Sequence, residues 1–503
     1  MEYLDKGIKP EDIVTFDRLM RDSHDDAIFS GEEPNTFDNK YGVMKIIDSG
    51  YDTLPQIYHN VFLDPLSKLI QTEKFDTIKE IYTDSGVFDD WLLCLTQREN
   101  AERQDLALAT NAMEEFIADL FDGNLSDTAR KGAKLPAQLV SPLTKWGSDS
   151  PYTWGSKMGA RFGMNMPILS MPINYSSNVL FWVLGGHECY HSVVDAYGKD
   201  LLNELEDLIT DEFDRKNKSK SKESLDEGQL DEVQKWRQEI QWNNDNNTLA
   251  EFASIYWRSI MNETVADIGS LLNLGPSAGI AFAVLAITLN QNRLNPESEI
   301  DDPHPNPLLR IKLAKEFTKR LVWLNYDVRK NYIGFFDKLI DKYAPEEKNF
   351  TLYTREVESG KKIIEVQIPI ESMTNTIEVV VDKIAHTRLK TLGNHSMAEI
   401  NTWTNSDELI ANVAADYFMK NEVLNFNSDY FDKHQVYAAH IVAGATVALT
   451  KKPEIRPITK LAIKHLNELH DNNPVWKGFP VSFRSDAEKA DGLYETRKWN
   501  ENK

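Results

Sequence analysis

The chain has 503 residues, 41% of them hydrophobic, and a formal net charge of −23. That composition excludes a disordered chain and provides core for two to four units at roughly 100–200 residues each. So acidic a surface repels phosphate backbones, so nucleic acid is not an expected partner.

The N-terminus, MEYLDKGIKPEDIV, has no apolar signal core. The most apolar runs, 278–289 and 436–449, are shorter than the roughly 18–20 residues that cross a bilayer, so no membrane span is expected. Cys94 and Cys189 are the two cysteines. So few, so far apart, they form no disulfide framework, and the expected location is cytoplasmic. Nothing in the sequence sets the oligomeric state.

Residues 1–145 read as a helical N-terminal region. Within it Leu106, Met113, Phe116, Ile117 and Leu120 recur at helical spacing and predict a helix with one buried face. Residues 146–345 form the candidate catalytic core. It opens on WGSDSPYTWG, read as a turn-rich loop, and MNMPILSMPI follows. Pro167 and Pro172 confine any strand there to a sheet edge, where it could take an extended peptide by strand addition; an irregular apolar loop fits equally well.

Residues 178–197 predict a buried helix. A charged segment at about 200–247 reads as a surface insertion, solvated at KNKSKSKESLDEG. Helical spacing resumes over 248–274, a small-residue helix follows to 289, and 308–343 is an amphipathic helical stretch. In residues 346–503, the runs TLYTREV, KIIEVQIPI and TIEVVVD predict a small antiparallel meander, followed by helices. The expected fold class is α+β, mostly helical.

The chemistry centres on His187-Glu188-Cys189-Tyr190-His191. Residues i and i+4 share a helix face, so the two imidazoles can grip one Zn2+. Glu188 is turned about 100° from His187 and borders the site, where a general base belongs. A pair of satisfied core histidines is the plain alternative. Two His and a water leave room for one more protein ligand. Glu263 and Asp267 are again i and i+4, among Ile260, Val265, Ile268 and Leu271. Glu263 is the candidate third ligand, and Asp267 the carboxylate that orients His187.

HECYHSVVDAYG followed by NETVADIGSL resembles the thermolysin-like zinc peptidases and their wider relatives, the gluzincins. His187, Glu188, His191, Asp195, Glu263 and Asp267 fall on that family's HExxHxVxD and NExxxD positions. The resemblance implies a gluzincin-type core, a zinc cofactor, a peptide or protein substrate, and Asp195 as a supporting carboxylate. It covers about 30 residues. Two features depart from it: the long connection at residues 192–262, and the missing signal peptide of a usually secreted family. DPHPNPLLR (302–310) looks like the HP…R element of the CAAX-processing and heat-shock membrane peptidases. There His304 or Arg310 could stabilise an oxyanion, against the alternative of a Pro-rich loop with a solvent-facing histidine.

The expected activity is therefore zinc-dependent hydrolysis of peptide bonds, with metal-bound water activated by Glu188. An endopeptidase is favoured over an aminopeptidase, since no GxMEN-type motif is present. A deformylase would need a cysteine ligand, and the candidate, Cys94, lies in an apolar helix pattern. The alternative of another class is a non-catalytic zinc scaffold. His440, in an apolar helix, reads as a satisfied core residue.

Overall fold

The computed structural model describes residues 3–25, 40–72, 75–76, 87–98, 104–125, 140–154, 164, 166–215, 249–290, 293–355, 362–424, 436–473 and 476. Amphipathic helices α1 (Ile13–Asp25), α2 (Lys40–Thr53), α3 (Asp64–Gln71) and α4 (Val87–Thr96) lead to α5 (Gln104–Asn124). The sequence gives α5 one buried face, but it is enclosed on nearly every side from Ala109 on, and it buries Glu114, Glu115 and Asp122 as well. Each buried charge needs a partner; Glu114 meets Arg98, and Glu115 accepts from Asn473 Nδ2 and Trp476 Nε1 at 3.0 and 2.8 Å.

The first sheet has the order β1-β3-β2, from Leu143–Trp146, Ile168–Met171 and Tyr152–Trp154. Here the sequence expectation is corrected. ILSM is the central strand, parallel to β1 and antiparallel to β2. Pro167 and Pro172 flank the four paired residues, so the ladder keeps its N–H donors. Among the described residues the outer strands are Leu143–Trp146 and Tyr152–Trp154, the second inside the segment read as a loop. The sheet separates two apolar clusters: Leu143 and Ile168 join a smaller one with α2, α3 and α4, while Trp146, Leu169 and Met171 join the larger. The larger cluster gathers α1, α5 and all later helices, so the cores do not follow chain order.

Helix α6 (Trp182–Tyr197) carries the HExxH motif and stops at Gly198, whose φ of 82° suits glycine. Helix α7 (Lys199–Arg215) corrects the surface-insertion reading for its part of the charged segment. Leu201, Leu205, Ile209 and Phe213 recur every four residues, and all are buried. KNKSKSKESLDEG lies outside the described residues. Helices α8 (Leu249–Ser259) and α9 (Met261–Leu274) are split at Ile260, and α10 (Ser277–Leu289) follows.

The second sheet has the order β4-β5-β6, from Glu297–Glu299, Asn349–Arg355 and Lys362–Pro369. Between β4 and β5 lie α11 (Pro307–Arg320) and α12 (Tyr326–Tyr343), two helices where one stretch was expected. TIEVVVD, expected as a third strand, belongs instead to α13 (Ile370–Val381). Its β-branched content favours a strand, but Met373, Thr376, Ile377, Val380 and Val381 are buried at helical spacing, and that pattern prevails. Helices α14 (Asn405–Lys420), α15 (Ala438–Lys451) and α16 (Ile455–Asn472) complete the larger core. His440 is sealed within it, bonded to Asp407 at 2.9 Å. Among the described residues no helix is long and apolar enough to cross a membrane.

Helices α6 and α9 cross closely because of small residues. A Cβ on Gly269 would lie 2.1 Å from the Tyr190 ring, and one on Gly186 would lie 3.3 Å from Ser270 Oγ. Tyr190 therefore lies flat on the backbone of α9. Gly269→Ala should force these helices apart and destabilise the fold by about 1–3 kcal/mol, measured by denaturant unfolding. Unchanged stability would show that the crossing tolerates a methyl group.

Candidate metal centre

The helical repeat of α6 puts the His187 and His191 rings together, their centroids 4.9 Å apart and their planes at 88°. Both turn Nε2 towards one carboxylate on α9. Glu263 Oε2 lies 3.0 Å from His187 Nε2, and Glu263 Oε1 lies 3.4 Å from His191 Nε2. The edge of a tetrahedron with bonds of about 2.1 Å is roughly 3.4 Å, so these two spacings are compatible with a shared small ion as well as with direct hydrogen bonding. Glu188 borders the same space; it, His187 and His191 offer ligand atoms within 4.8 Å of one another.

His187 is supported from behind by a buried carboxylate. Its Nδ1 lies 2.8 Å from Asp267 Oδ1, on a carboxylate sealed from solvent. Asp267 in turn pairs with Arg310, whose guanidinium stacks 4.4 Å from the Phe282 ring centre. Burial opposes the charge on Asp267, but the Arg310 charge and the His187 hydrogen bond outweigh it and hold its carboxyl below the usual range. Burial likewise disfavours a charged His187, yet hydrogen bonds to Asp267 and Glu263 raise its pKa to about 9. Glu263 is desolvated too, and the two imidazoles hold it far below an ordinary carboxyl.

The structure brings five of the seven candidate residues together: His187, Glu188, His191, Glu263 and Asp267. His304 stands at the rim, its side chain 56% exposed, with Nε2 3.7 Å from Glu263 Oε2. Its Nδ1 is held by Asp302 at 2.8 Å, and that bond raises its pKa. His191 Nδ1 has no hydrogen-bond partner among the described residues, so Asp195 does not brace that nitrogen. Arg310 is tucked behind Asp267 rather than at the open side, which corrects its reading as an oxyanion donor. Cys189 points away from the histidine pair, donating weakly to Ile117 O at 3.6 Å, and burial pushes its thiol pKa up.

Several contributors were not read from the sequence. Asn306 is buried and caps α11 by accepting from Leu308 N and Leu309 N at 3.0 and 3.4 Å. Its Nδ2 donates to Asn295 O and Glu297 O, and its N–H donates to Tyr256 Oη at 3.1 Å. It thus anchors the loop bearing His304 and the helix bearing Arg310. The signal for the cap was Asn before Pro at the first helical position. Thr153, on the edge strand, had no signal; its hydroxyl donates to Glu188 O at 2.8 Å.

Comparison with protein-family models, curated proteins and solved structures finds no match to this chain. Function is therefore read from the site itself. The donor set, two imidazoles and a carboxylate, suits a divalent ion such as zinc, and the Asp267–His187 bond is the outer support such a ligand needs.

Binding at His187 Nε2 requires that nitrogen to give up its proton, which is retained below about pH 9. Metal uptake at pH 7 should therefore release about one proton, and affinity should strengthen as pH rises towards 9. Calorimetric titration in two buffers of different ionisation heat measures this; equal heats would contradict it.

Proposed function

We propose that this chain is a zinc-dependent peptidase in which His187, His191 and Glu263 hold the ion and Glu188 is the general base. The observation that carries the reading is the convergence of both Nε2 atoms on one Glu263 carboxylate, with Glu188 beside them. When bound, zinc would supply Lewis acidity and lower the pKa of a water molecule.

The chain's own groups do the rest. Glu188 takes a proton from water as the water oxygen bonds to the peptide carbonyl carbon. As the C–N bond breaks, Glu188 returns that proton to the leaving amine. His304, whose pKa the Asp302 hydrogen bond raises, would offer Nε2–H to the oxygen that gains charge. Strand β2 is an outer strand of the sheet among the described residues and touches Glu188 through Thr153, so an extended peptide would pair alongside the base. Asp267 and Arg310 keep His187 oriented throughout.

A structural zinc site is disfavoured because closed sites favour thiolates, and Cys189 faces elsewhere. Glu188→Gln should keep zinc yet lose at least about 100-fold in turnover on a peptide cleaved by the wild type, found by screening a peptide library with mass spectrometry. Loss of zinc in that variant would place Glu188 among the ligands and end its assignment as base.

A further inference from the structure

Strand β2 does more than border the base, and this inference rests on the peptidase reading. Side chains alternate across a strand, so Thr153 and Tyr152 face opposite ways. Thr153 faces α6: its hydroxyl donates to Glu188 O at 2.8 Å and lies 3.3 Å from Glu188 Oε2. Tyr152 faces α4 and donates to Asp90 Oδ2 at 2.8 Å. Asp90 Oδ1 in turn meets Lys145 Nζ, on β1, at 2.5 Å. The Asp90 and Lys145 side chains are only 6% and 4% exposed, so breaking the pair would strand a buried charge.

The edge strand is thus pinned on one face by a buried ion pair and grips the helix of the base with the other. A glutamate has three rotatable bonds, and most of its rotamers would turn the carboxylate from a reacting water. The hydroxyl carries one proton, which Glu188 O and Oε2 share by proximity; turned to Oε2, it makes a hydrogen bond to a charged group, strong enough to offset the rotamer freedom of one such side chain. We propose that Thr153 is the positioning residue for Glu188: its hydroxyl, on the strand beside which the peptide would lie, sets the carboxylate for proton transfer. Order in that strand then becomes order in the base.

Thr153→Val removes the hydroxyl and keeps the shape, whereas Thr153→Ser keeps the hydroxyl. Two measurements are paired: structures of the wild type and both variants determined without metal, and steady-state hydrolysis by the zinc-loaded proteins. In Thr153→Val the Glu188 carboxylate should leave its place, and kcat should fall about 10–100-fold with KM and zinc content unchanged. Thr153→Ser should restore both position and rate. An unmoved Glu188 in the valine variant, a loss confined to KM, or a serine variant as slow as the valine one would overturn the proposal. If the wild type cuts no peptide while Glu188 still shifts in Thr153→Val, the peptidase reading fails and the positioning role stands. If the wild type and Thr153→Val cut equally well, the positioning role fails and the peptidase reading stands.

Discussion

His187 sits between two carboxylates, and the site depends on that sandwich. Asp267 holds Nδ1 and Glu263 faces Nε2, both from α9. Charges this far from water persist only with partners. Asp267 is paired with Arg310, and hydrogen bonds to Asp267 and Glu263 raise the pKa of His187, so each carboxylate has a positive or proton-donating partner. A divalent ion that displaces the proton meets ligands already in place.

Much of the surrounding architecture serves this arrangement. Gly269 and Gly186 let α6 and α9 approach until Glu263 reaches both imidazoles. Asn306 fixes the start of α11, three residues before Arg310. The prolines on either side of His304 and the Asp302 bond hold its ring at the rim without burying it. The first sheet, lodged between two apolar clusters, brings an edge strand to the helix of Glu188. The side chains of the candidate site therefore come from elements braced by the core rather than from isolated loops.

The pairing of His187 with His191 was legible because helical spacing is a local property: two residues four apart must share a face. Asp267 was legible for the same reason, since Glu263 fixes where its face points. What failed depended on neighbours distant in sequence. ILSM reads as an edge strand because of its prolines, yet they flank the ladder, and which strand lies outermost depends on how Tyr152–Trp154 folds back. TIEVVVD has the residues of a strand, but a helix buries its apolar side more completely against the core. The helix of Lys199–Arg215 was hidden by its charges, although its apolar residues repeat every four positions. Arg310 could be tied to the site by motif, but not to the far side of Asp267, because only the packing against Phe282 decides which way it points.

The claim beneath all of this is that the chain holds a metal at His187, His191 and Glu263. The most direct test is the zinc content of the purified protein by elemental analysis, prepared without chelator and with zinc supplied, with His187→Ala as the control. The account predicts about one zinc per wild-type chain and little in the variant. A wild type that retains no metal would reduce the centre to a buried ion-pair network between two helices and leave the peptidase reading without its basis.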